Sequence, residues 1–261
     1  MIAAIENIGR FTLNSSGSLR NSLTFAVRVV IRLFNLRTYN SASRMVLINQ
    51  LYFTSIQVLP LFLFVAVIFG SMVNGIVFQV IKNLGLTNYL GPLLMGFIVT
   101  EIAPFVTVLL IALRSSSAIN TEVSVMKVSR ELNTLDMFNI DLIDYLFVPR
   151  ILNGMLSMVL LSSLFSLVVL AVGFLVSSVV FGTSFDAYID TLLLSASLLD
   201  MTIVLIKCAT FGFFITLIPI HQGLNASQEL TSIPIAVLNG MVKVFLAIVV
   251  IEVLSLVIRF I

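Results

Sequence analysis

Residues 56–80 of the chain read IQVLPLFLFVAVIFGSMVNGIVFQV, without a single charged side chain. A helix needs about 20 predominantly apolar residues to cross the hydrocarbon core of a bilayer, so this stretch predicts one membrane span. The whole chain of 261 residues has the same character, with 59% hydrophobic and 10% charged residues and a mean hydropathy of +1.16. Soluble domains carry roughly 25% charged residues, and disordered chains are less hydrophobic. The composition therefore predicts an integral membrane protein.

Four further apolar stretches predict four more spans, over residues 90–113, 151–185, 201–220 and 235–261. We therefore expect an all-α integral membrane protein with five transmembrane helices. The formal net charge of +2 is too small to favour nucleic acid as a partner. A single domain over residues 1–261 is expected, with residues 1–44 as a cytoplasmic or interfacial segment and residues 45–261 as the five-span region.

Basic residues near the span ends predict the orientation of the chain. The segment before the first span and the segment between the second and third spans hold most of them: Arg10, Arg20, Arg28, Arg32, Arg37, Arg44, Arg114, Lys127, Arg130 and Arg150. The other loops carry only Lys82, or Asp186 and Asp190 without a basic residue. The N-terminus is therefore expected in the cytoplasm and the C-terminus outside. The first apolar run is too short for a cleavable signal peptide, so none is expected.

Residues 18–37 mix apolar side chains with regularly placed arginines. One helical stripe is formed by Leu23, Val27, Val30 and Phe34, with Arg28 and Arg32 four apart on its flank. This pattern predicts an N-terminal amphipathic helix that lies in the interfacial layer of the membrane. The alternative is a positively charged leader that only sets the topology.

The segment between the second and third spans, residues 114–150, predicts a short cytoplasmic helix over residues 120–135. Asn120 or Thr121 is a candidate N-cap, and Lys127 with Glu131 would form a four-apart pair of opposite charge. The helix would also have an apolar side, which needs a protein partner or the membrane to cover it. The alternative is a solvated connector that packs on its own bundle.

Ionisable residues inside the spans need a reason, because a charge near the middle of a span costs about 2.5–3.5 kcal/mol on insertion scales. Glu101 lies midway along the second span, and Pro104 bends the helix and frees a carbonyl. Glu101 either faces a cavity or is neutral or paired with Lys207 or Lys243, while Lys207 could also extend outward to the headgroups. Lys243 and Glu252 are nine residues apart, so each needs a partner on another helix.

Several enzyme and metal classes are excluded by residue counts. The one cysteine, Cys208, excludes a disulfide within the chain, and the one histidine, His221, removes most zinc-site and triad possibilities. Both are expected to be structural, and no metal site and no catalytic residue are expected, although a mechanism that uses carboxylates alone stays open. No G-x-x-x-x-G-K-[ST] sequence is present to hold nucleotide phosphates, so any ATP-derived energy must come from another chain.

The stretch 100–152 resembles the signature region of MlaE-type permeases, the membrane subunits of MCE-associated ABC lipid transporters. The family pattern is approximately E-L-G-P, A-G-R-S-G-S-A, A-E-x-G-x-M, E-x-x-x-L and P-R. It is matched by Glu101, Pro104, Ala112, Arg114, Ser115, Ser117, Ala118, Glu122, Met126, Glu131, Leu135, Pro149 and Arg150. The chain departs from it where family glycines are replaced, at Ala103, Leu113, Ser116 and Ser124, and where Thr100 replaces a basic residue.

The resemblance implies a phospholipid permease of the inner (cytoplasmic) membrane, which works between the inner and outer membranes and maintains outer-membrane lipid asymmetry. The implied partners are a second copy of the chain, a cytoplasmic ABC ATPase, a periplasmic MCE protein and a small cytoplasmic STAS-type subunit. No cofactor is expected in this chain, since ATP and magnesium would bind the ATPase. The implied lipid-cavity residues are Val73, Val80, Ile81, Glu101 and Phe105. The residues implied to contact the ATPase, on a coupling helix, are Glu122, Met126, Lys127, Arg130 and Glu131.

Two other function classes are weighed against this one. An ion- or proton-coupled secondary transporter would use intramembrane acids, but it would usually show inverted repeats, and the sequence has no self-similar halves. A non-transporting membrane scaffold would not need charged residues within its spans. The sequence therefore favours the lipid permease.

Overall fold

The computed structural model describes residues 24–34 and 41–260, and these residues are almost entirely helical, with no strand among them. The α-helices are α1 (24–33), α2 (Ser41–Leu51), α3 (Leu59–Leu84), α4 (Leu90–Leu93), α5 (Ala103–Ile111), α6 (Ser117–Val128), α7 (Glu131–Met137), α8 (Val148–Phe181), α9 (Phe185–Ser195), α10 (Leu198–Leu224) and α11 (Ser232–Phe260). Wider π-helical turns join several of them, at Tyr52–Ile56, Leu94–Ile102, Ala112–Ser116 and Ile143–Phe147, and a 3-10 turn lies at Thr87–Tyr89.

Five of the described helical stretches are long and apolar enough to cross a membrane, which confirms the predicted number of spans. They are Met45–Leu84, Leu90–Val128, Ile143–Phe181, Leu198–Leu224 and Ser232–Arg259. The first ends at Leu84 and is followed by Gly85, whose φ of 67° is a left-handed conformation that glycine adopts without steric cost. The fold is therefore all-α and multi-pass, as the apolar segments predict.

The second span is longer than expected and runs on to Val128. Two of its polar side chains form hydrogen bonds to carbonyls of the preceding helical turn, so they are compatible with a continuous helix. Ser117 Oγ donates to the Leu113 carbonyl (2.7 Å), and Thr121 Oγ1 donates to the Ser117 carbonyl (2.9 Å). Asn120 lies inside α6, is buried, and donates to the Ala236 carbonyl of α11 at 3.1 Å. The predicted N-cap at Asn120 or Thr121 is therefore wrong.

The single helix predicted over residues 120–135 is in fact two helices. Helix α6 ends at Val128, Arg130 takes a left-handed conformation (φ 61°), and α7 begins at Glu131. Lys127 and Glu131 therefore lie on different helices and do not form the predicted four-apart pair. The chain itself covers only part of the apolar side of α6, because Val123 is fully buried against α10, whereas Met126 is partly buried and Val125 is exposed.

The connection predicted as a loop between the third and fourth spans contains α9. Ser184 caps it by accepting a hydrogen bond from the Ala187 amide (3.4 Å). Tyr188 anchors α9, because its buried hydroxyl donates to the Leu170 carbonyl of α8 at 3.0 Å. Burial raises the pKa of Tyr188 to about 12, so the hydroxyl keeps the proton that it donates.

Helix α8 is the centre of the bundle and packs against α3 on one side and α10 on another, while α10 also packs on α6 and α11. A smaller apolar cluster lies at the end of the bundle that holds α6, and α1 docks there through Val29 and Phe25. The predicted stripe of α1 faces away from the protein, since Val27, Val30 and Phe34 are exposed; Leu23 lies outside the described residues. An interfacial position for α1 stays a prediction.

Candidate functional site

Glu101 lies in the π-helical turn Leu94–Ile102 of the second span and is buried. Pro104 follows at the beginning of α5, and a proline has no N–H to donate to the Thr100 carbonyl, as an α-helix would require. Lys207 of α10 approaches this carbonyl instead, with its Nζ atom 3.4 Å from the oxygen. The sequence feature that interrupts the helix therefore also supplies an acceptor for a lysine on a neighbouring helix.

Glu101 belongs to a chain of ion pairs that joins three spans. Its two carboxylate oxygens contact Lys207 Nζ (2.5 Å) and Arg259 Nη1 (2.8 Å). Lys207 also contacts Glu252 (2.9 Å), and Arg259 Nη2 lies 3.8 Å from Asp200. The cluster thus contains three carboxylates and two cations, and the side chain of its central member, Lys207, is only 2% exposed.

The observed ion pairs and hydrogen bonds decide between the alternatives predicted for the charged residues within the spans. Glu101 pairs with Lys207, as one of the two interpretations predicts, and Lys207 does not extend outward, because it is buried in the bundle. Lys243 has a different partner, since its Nζ atom donates to Gln222 Oε1 of α10 at 2.9 Å. Lys243 and Glu252 therefore both find partners on another helix, which confirms that expectation.

Arg259 is the member of the cluster that sequence reasoning missed. Its Nη1 atom donates to Glu101, to Thr100 Oγ1 (2.5 Å) and to the Gly96 carbonyl (2.6 Å). In the family pattern described above, a basic residue often occupies the position of Thr100. A guanidinium group from the fifth span therefore lies beside the threonine that replaces this residue, so the carboxylate keeps a second cationic partner.

We expect the Arg259→Met variant to unfold at a lower temperature than the wild type, and Thr100→Arg in the same chain to restore part of the loss. A hydrogen bond to a charged group contributes about 1.5–3 kcal/mol. Unfolding can be followed by fluorogenic maleimide labelling of Cys208, the one thiol and a buried one. The matched control is Lys243→Met, which removes a cation bonded to a neutral amide. Failure of Thr100→Arg to restore stability would contradict the interpretation that Arg259 replaces a basic residue at position 100 as a cationic partner of Glu101.

A cavity of about 660 Å³ opens beside the cluster, between the second and fifth spans. It is lined by Tyr89, Pro92, Leu93, Gly96, Phe97, Glu101, Ile102, Phe105, Glu252, Leu256 and Arg259. Its walls are mainly apolar, and its charged residues all belong to the ion-pair cluster. A cavity of this kind can hold a molecule with one charged and one apolar part.

The predicted lipid-cavity residues are not all at this cavity. Glu101 and Phe105 line it, whereas the three residues of the first span do not. Val73 packs partly buried on the core, Val80 is exposed, and Ile81 is buried in the core. The assignment of all five residues to a lipid cavity stays a prediction.

The predicted ATPase-contact residues lie at the α6–α7 end of the bundle but not on one helix face. Glu122 is half exposed and pairs with Arg150 of α8, with Arg150 Nη2 2.6 Å from Glu122 Oε1. Met126 and Lys127 are partly buried, and Arg130 and Glu131 are exposed at the break between the two helices. Their role in binding an ATPase stays a prediction.

The replaced family glycines are compatible with close helix packing at three of the four positions. Ala103, Ser116 and Ser124 are all buried, and Ser116 Oγ donates to the Ile215 carbonyl of α10 at 2.6 Å. The fourth, Leu113, is exposed. Small side chains therefore take the place of glycine where α10 approaches the second span.

Five apolar spans and a buried ion-pair cluster beside a cavity define a multi-pass α-helical membrane protein. The sequence model of the family described as Permease MlaE matches residues 47–258. The chain therefore belongs to the MlaE permease family.

Curated relatives carry related names. The chain is 32% identical over 143 residues to a probable ABC transporter permease of Synechocystis, which covers 55% of this chain and 54% of that protein. It is 29% identical over 172 residues to the chloroplastic protein trigalactosyldiacylglycerol 1 of Arabidopsis thaliana (63% and 48% covered). It is 30% identical over 119 residues to the intermembrane phospholipid transport system permease protein MlaE of Haemophilus influenzae (46% and 46%). The matches span about half the length of these relatives.

Proposed function

We propose that the chain is the permease subunit of an ABC transporter that moves phospholipids between the inner and outer membranes. The observation that carries the proposal is the cavity beside Glu101, whose apolar walls suit acyl chains and whose charged residues suit a zwitterionic headgroup. The Haemophilus relative, a phospholipid transport permease by name, supports the substrate class, and the Synechocystis relative, a probable ABC transporter permease, supports the transporter class.

In this proposal the chain works as a homodimer in the inner membrane, with its N-terminus in the cytoplasm and its C-terminus in the periplasm. A separate cytoplasmic ATPase binds ATP and magnesium, a periplasmic MCE protein exchanges lipid with the cavity, and a small STAS-type subunit joins on the cytoplasmic side. Closure of the ATPase would narrow the cavity and so move the lipid. Glu101 and Arg259 then contact the headgroup, while Phe97, Phe105 and Leu256 contact the acyl chains.

The surface proposed to bind the ATPase is the α6–α7 end of the bundle. Arg130 and Glu131 are exposed there, and the following residues Met137 and Phe138 are 86% and 73% exposed. Adjacent large apolar side chains with so much exposed surface, next to charged ones, are typical of a protein contact. This surface therefore supplies both apolar and charged contacts for an ATPase.

The proposal is tested by purification and reconstitution. A tagged chain solubilised from native membranes should co-purify with an ATPase and an MCE-type protein. The reconstituted complex should transfer fluorescent phospholipid only when ATP is present. Absence of both partners from the purified material would refute the ABC assignment, and transfer that follows an ion gradient without ATP would favour a secondary transporter.

We expect Arg130→Glu to reduce co-purification of the ATPase at least tenfold while the permease stays inserted, because reversal of a charge in an interface costs binding energy. The measurement is the ratio of ATPase to permease after affinity purification. Lys82→Glu, an exposed lysine at the other end of the bundle, is the control. An unchanged ratio in Arg130→Glu would remove this surface from the interface. A variant of Glu122 is a poorer test, because loss of its ion pair with Arg150 would lower the stability of the permease as well as any binding of the ATPase.

A further inference from the structure

A second cavity lies at the α6–α7 end of the bundle, away from the ion-pair cluster. It has a volume of about 580 Å³ and is bounded by α2, the beginning of α8, and the part of the second span around α6. Eight of its twelve lining residues are polar or charged, and they include Asn49, Gln50, Thr54, Gln57, Arg114 and Arg150. Two arginines in one polar cavity of a mainly apolar protein need an explanation.

Arg150 is almost fully buried, with a side chain only 2% exposed, and it is incompletely paired. Its Nη2 atom bonds to Glu122 Oε1 at 2.6 Å, but its Nε and Nη1 atoms are buried and have no hydrogen-bond partner among the described residues. Buried donors of a charged group are costly when they stay unpaired. The carboxylate of Glu122 therefore accepts a hydrogen bond from Nη2 of Arg150, and the donors at Nε and Nη1 are left for another acceptor.

Arg114 lines the same cavity from the second span and is exposed. Its Nη1 atom donates to the Gln57 carbonyl at 3.3 Å, which holds the side chain across the cavity toward the first span. The cavity thus has two guanidinium groups and one carboxylate, Glu122, which is already bound to Arg150. These three groups together carry a net positive charge, which favours an anion as the ligand.

We propose that this cavity, the Arg114–Arg150 site, binds a phosphate-bearing anion. Guanidinium groups match the geometry of phosphate oxygens through paired N–H donors, and the amide and hydroxyl groups of Asn49, Gln50 and Thr54 provide further donors. The anion is either the headgroup phosphate of a membrane phospholipid or free phosphate. The site is separate from the cavity beside Glu101, and the inference does not rest on the proposed transport function.

The test uses the purified chain in a neutral detergent, with the unfolding midpoint followed by Cys208 labelling. Three probes are titrated separately: sodium phosphate against sodium chloride of equal ionic strength, dioleoyl phosphatidylglycerol in mixed micelles, and dioleoylglycerol, which has the same acyl chains without phosphate. We expect at least one phosphate-bearing probe to raise the midpoint and dioleoylglycerol to have no comparable effect. Protection by sodium phosphate identifies free phosphate as sufficient, whereas protection by the phospholipid alone identifies the headgroup.

Variants localise the effect to the cavity. Arg114→Gln removes the exposed arginine, and Arg150→Lys keeps a charge beside Glu122 but removes the two unpaired donors. Each is expected to weaken protection at least tenfold in probe concentration. Arg130→Gln, which removes an exposed arginine outside this cavity, should leave protection unchanged. The proposal is overturned if no phosphate-bearing probe protects the wild type, or if Arg114→Gln is protected as well as the wild type. Since Arg114 is exposed, its variant decides the matter even if Arg150→Lys does not fold.

Discussion

The Lys207→Met variant is expected to lose both stability and lipid transfer, with the largest effect of any single change at the ion-pair cluster. Lys207 is the only cation that contacts both Glu101 and Glu252 among the described residues. Methionine of similar length would leave the partly buried Glu252 without its cation and the buried Glu101 with Arg259 alone. Removing one partner of a buried ion pair costs on the order of 3–5 kcal/mol. The midpoint of unfolding by Cys208 labelling should therefore fall clearly, and ATP-driven lipid transfer by the reconstituted complex should fall more than tenfold.

A double variant separates the structural from the functional contribution of the cluster. Glu252→Gln together with Lys207→Met removes the carboxylate that Lys207 alone pairs among the described residues, while Glu101 keeps Arg259, so the unfolding midpoint should return toward the wild type. Lipid transfer should stay low, because the proposed headgroup cavity then lacks one of its three charged lining residues, Glu252. Recovery of both stability and transfer in the double variant would show that the cluster only holds the helices together.

The number of spans was predictable from the sequence because crossing a bilayer needs only length and apolar character, both of which are local properties. The pairing of Glu101 with Lys207 was predictable in part, since buried charges require partners and few cations are available within the spans. Arg259 was not predicted as a partner, because it lies at the end of the fifth span, where an arginine side chain can also extend to the headgroups. Which residue of the fifth span reaches the second depends on how the helices cross, and sequence spacing within one helix carries no such information.

The N-cap and the helix end predicted between residues 120 and 135 differ from the structure for another reason, because tertiary contacts override the local sequence pattern there. Asn120 and Thr121 are good N-cap residues in isolation, but in the bundle Asn120 is buried against α11 and Thr121 bonds to the preceding turn. The break at Arg130 has no glycine or proline to mark it, and a positive φ at an arginine is uncommon. Tertiary contacts therefore decide where this helix ends.

The close crossing of α8 and α10 predicts that a methyl group added at Gly212 lowers the stability of the protein. At Gly212 an added Cβ would lie 2.5 Å from the Gly154 carbonyl oxygen and 2.5 Å from Met155 Cα. These are backbone atoms of α8 and cannot rotate away, so the two helices would have to separate. We expect Gly212→Ala to destabilise the chain by about 1–3 kcal/mol or more, which is the usual cost of overpacking.

Gly75 of α3 provides the matched control, because nothing lies within 4 Å of the Cβ that would be added there. Alanine exceeds glycine in helix propensity by about 0.8–1.0 kcal/mol, so Gly75→Ala should be neutral or stabilising. The unfolding midpoint measured by Cys208 labelling should therefore fall in Gly212→Ala and stay the same or rise in Gly75→Ala. Equal shifts would mean that α8 and α10 can adjust their separation freely. Because α10 also carries Lys207, an enforced separation should reduce lipid transfer in Gly212→Ala even where the protein stays folded.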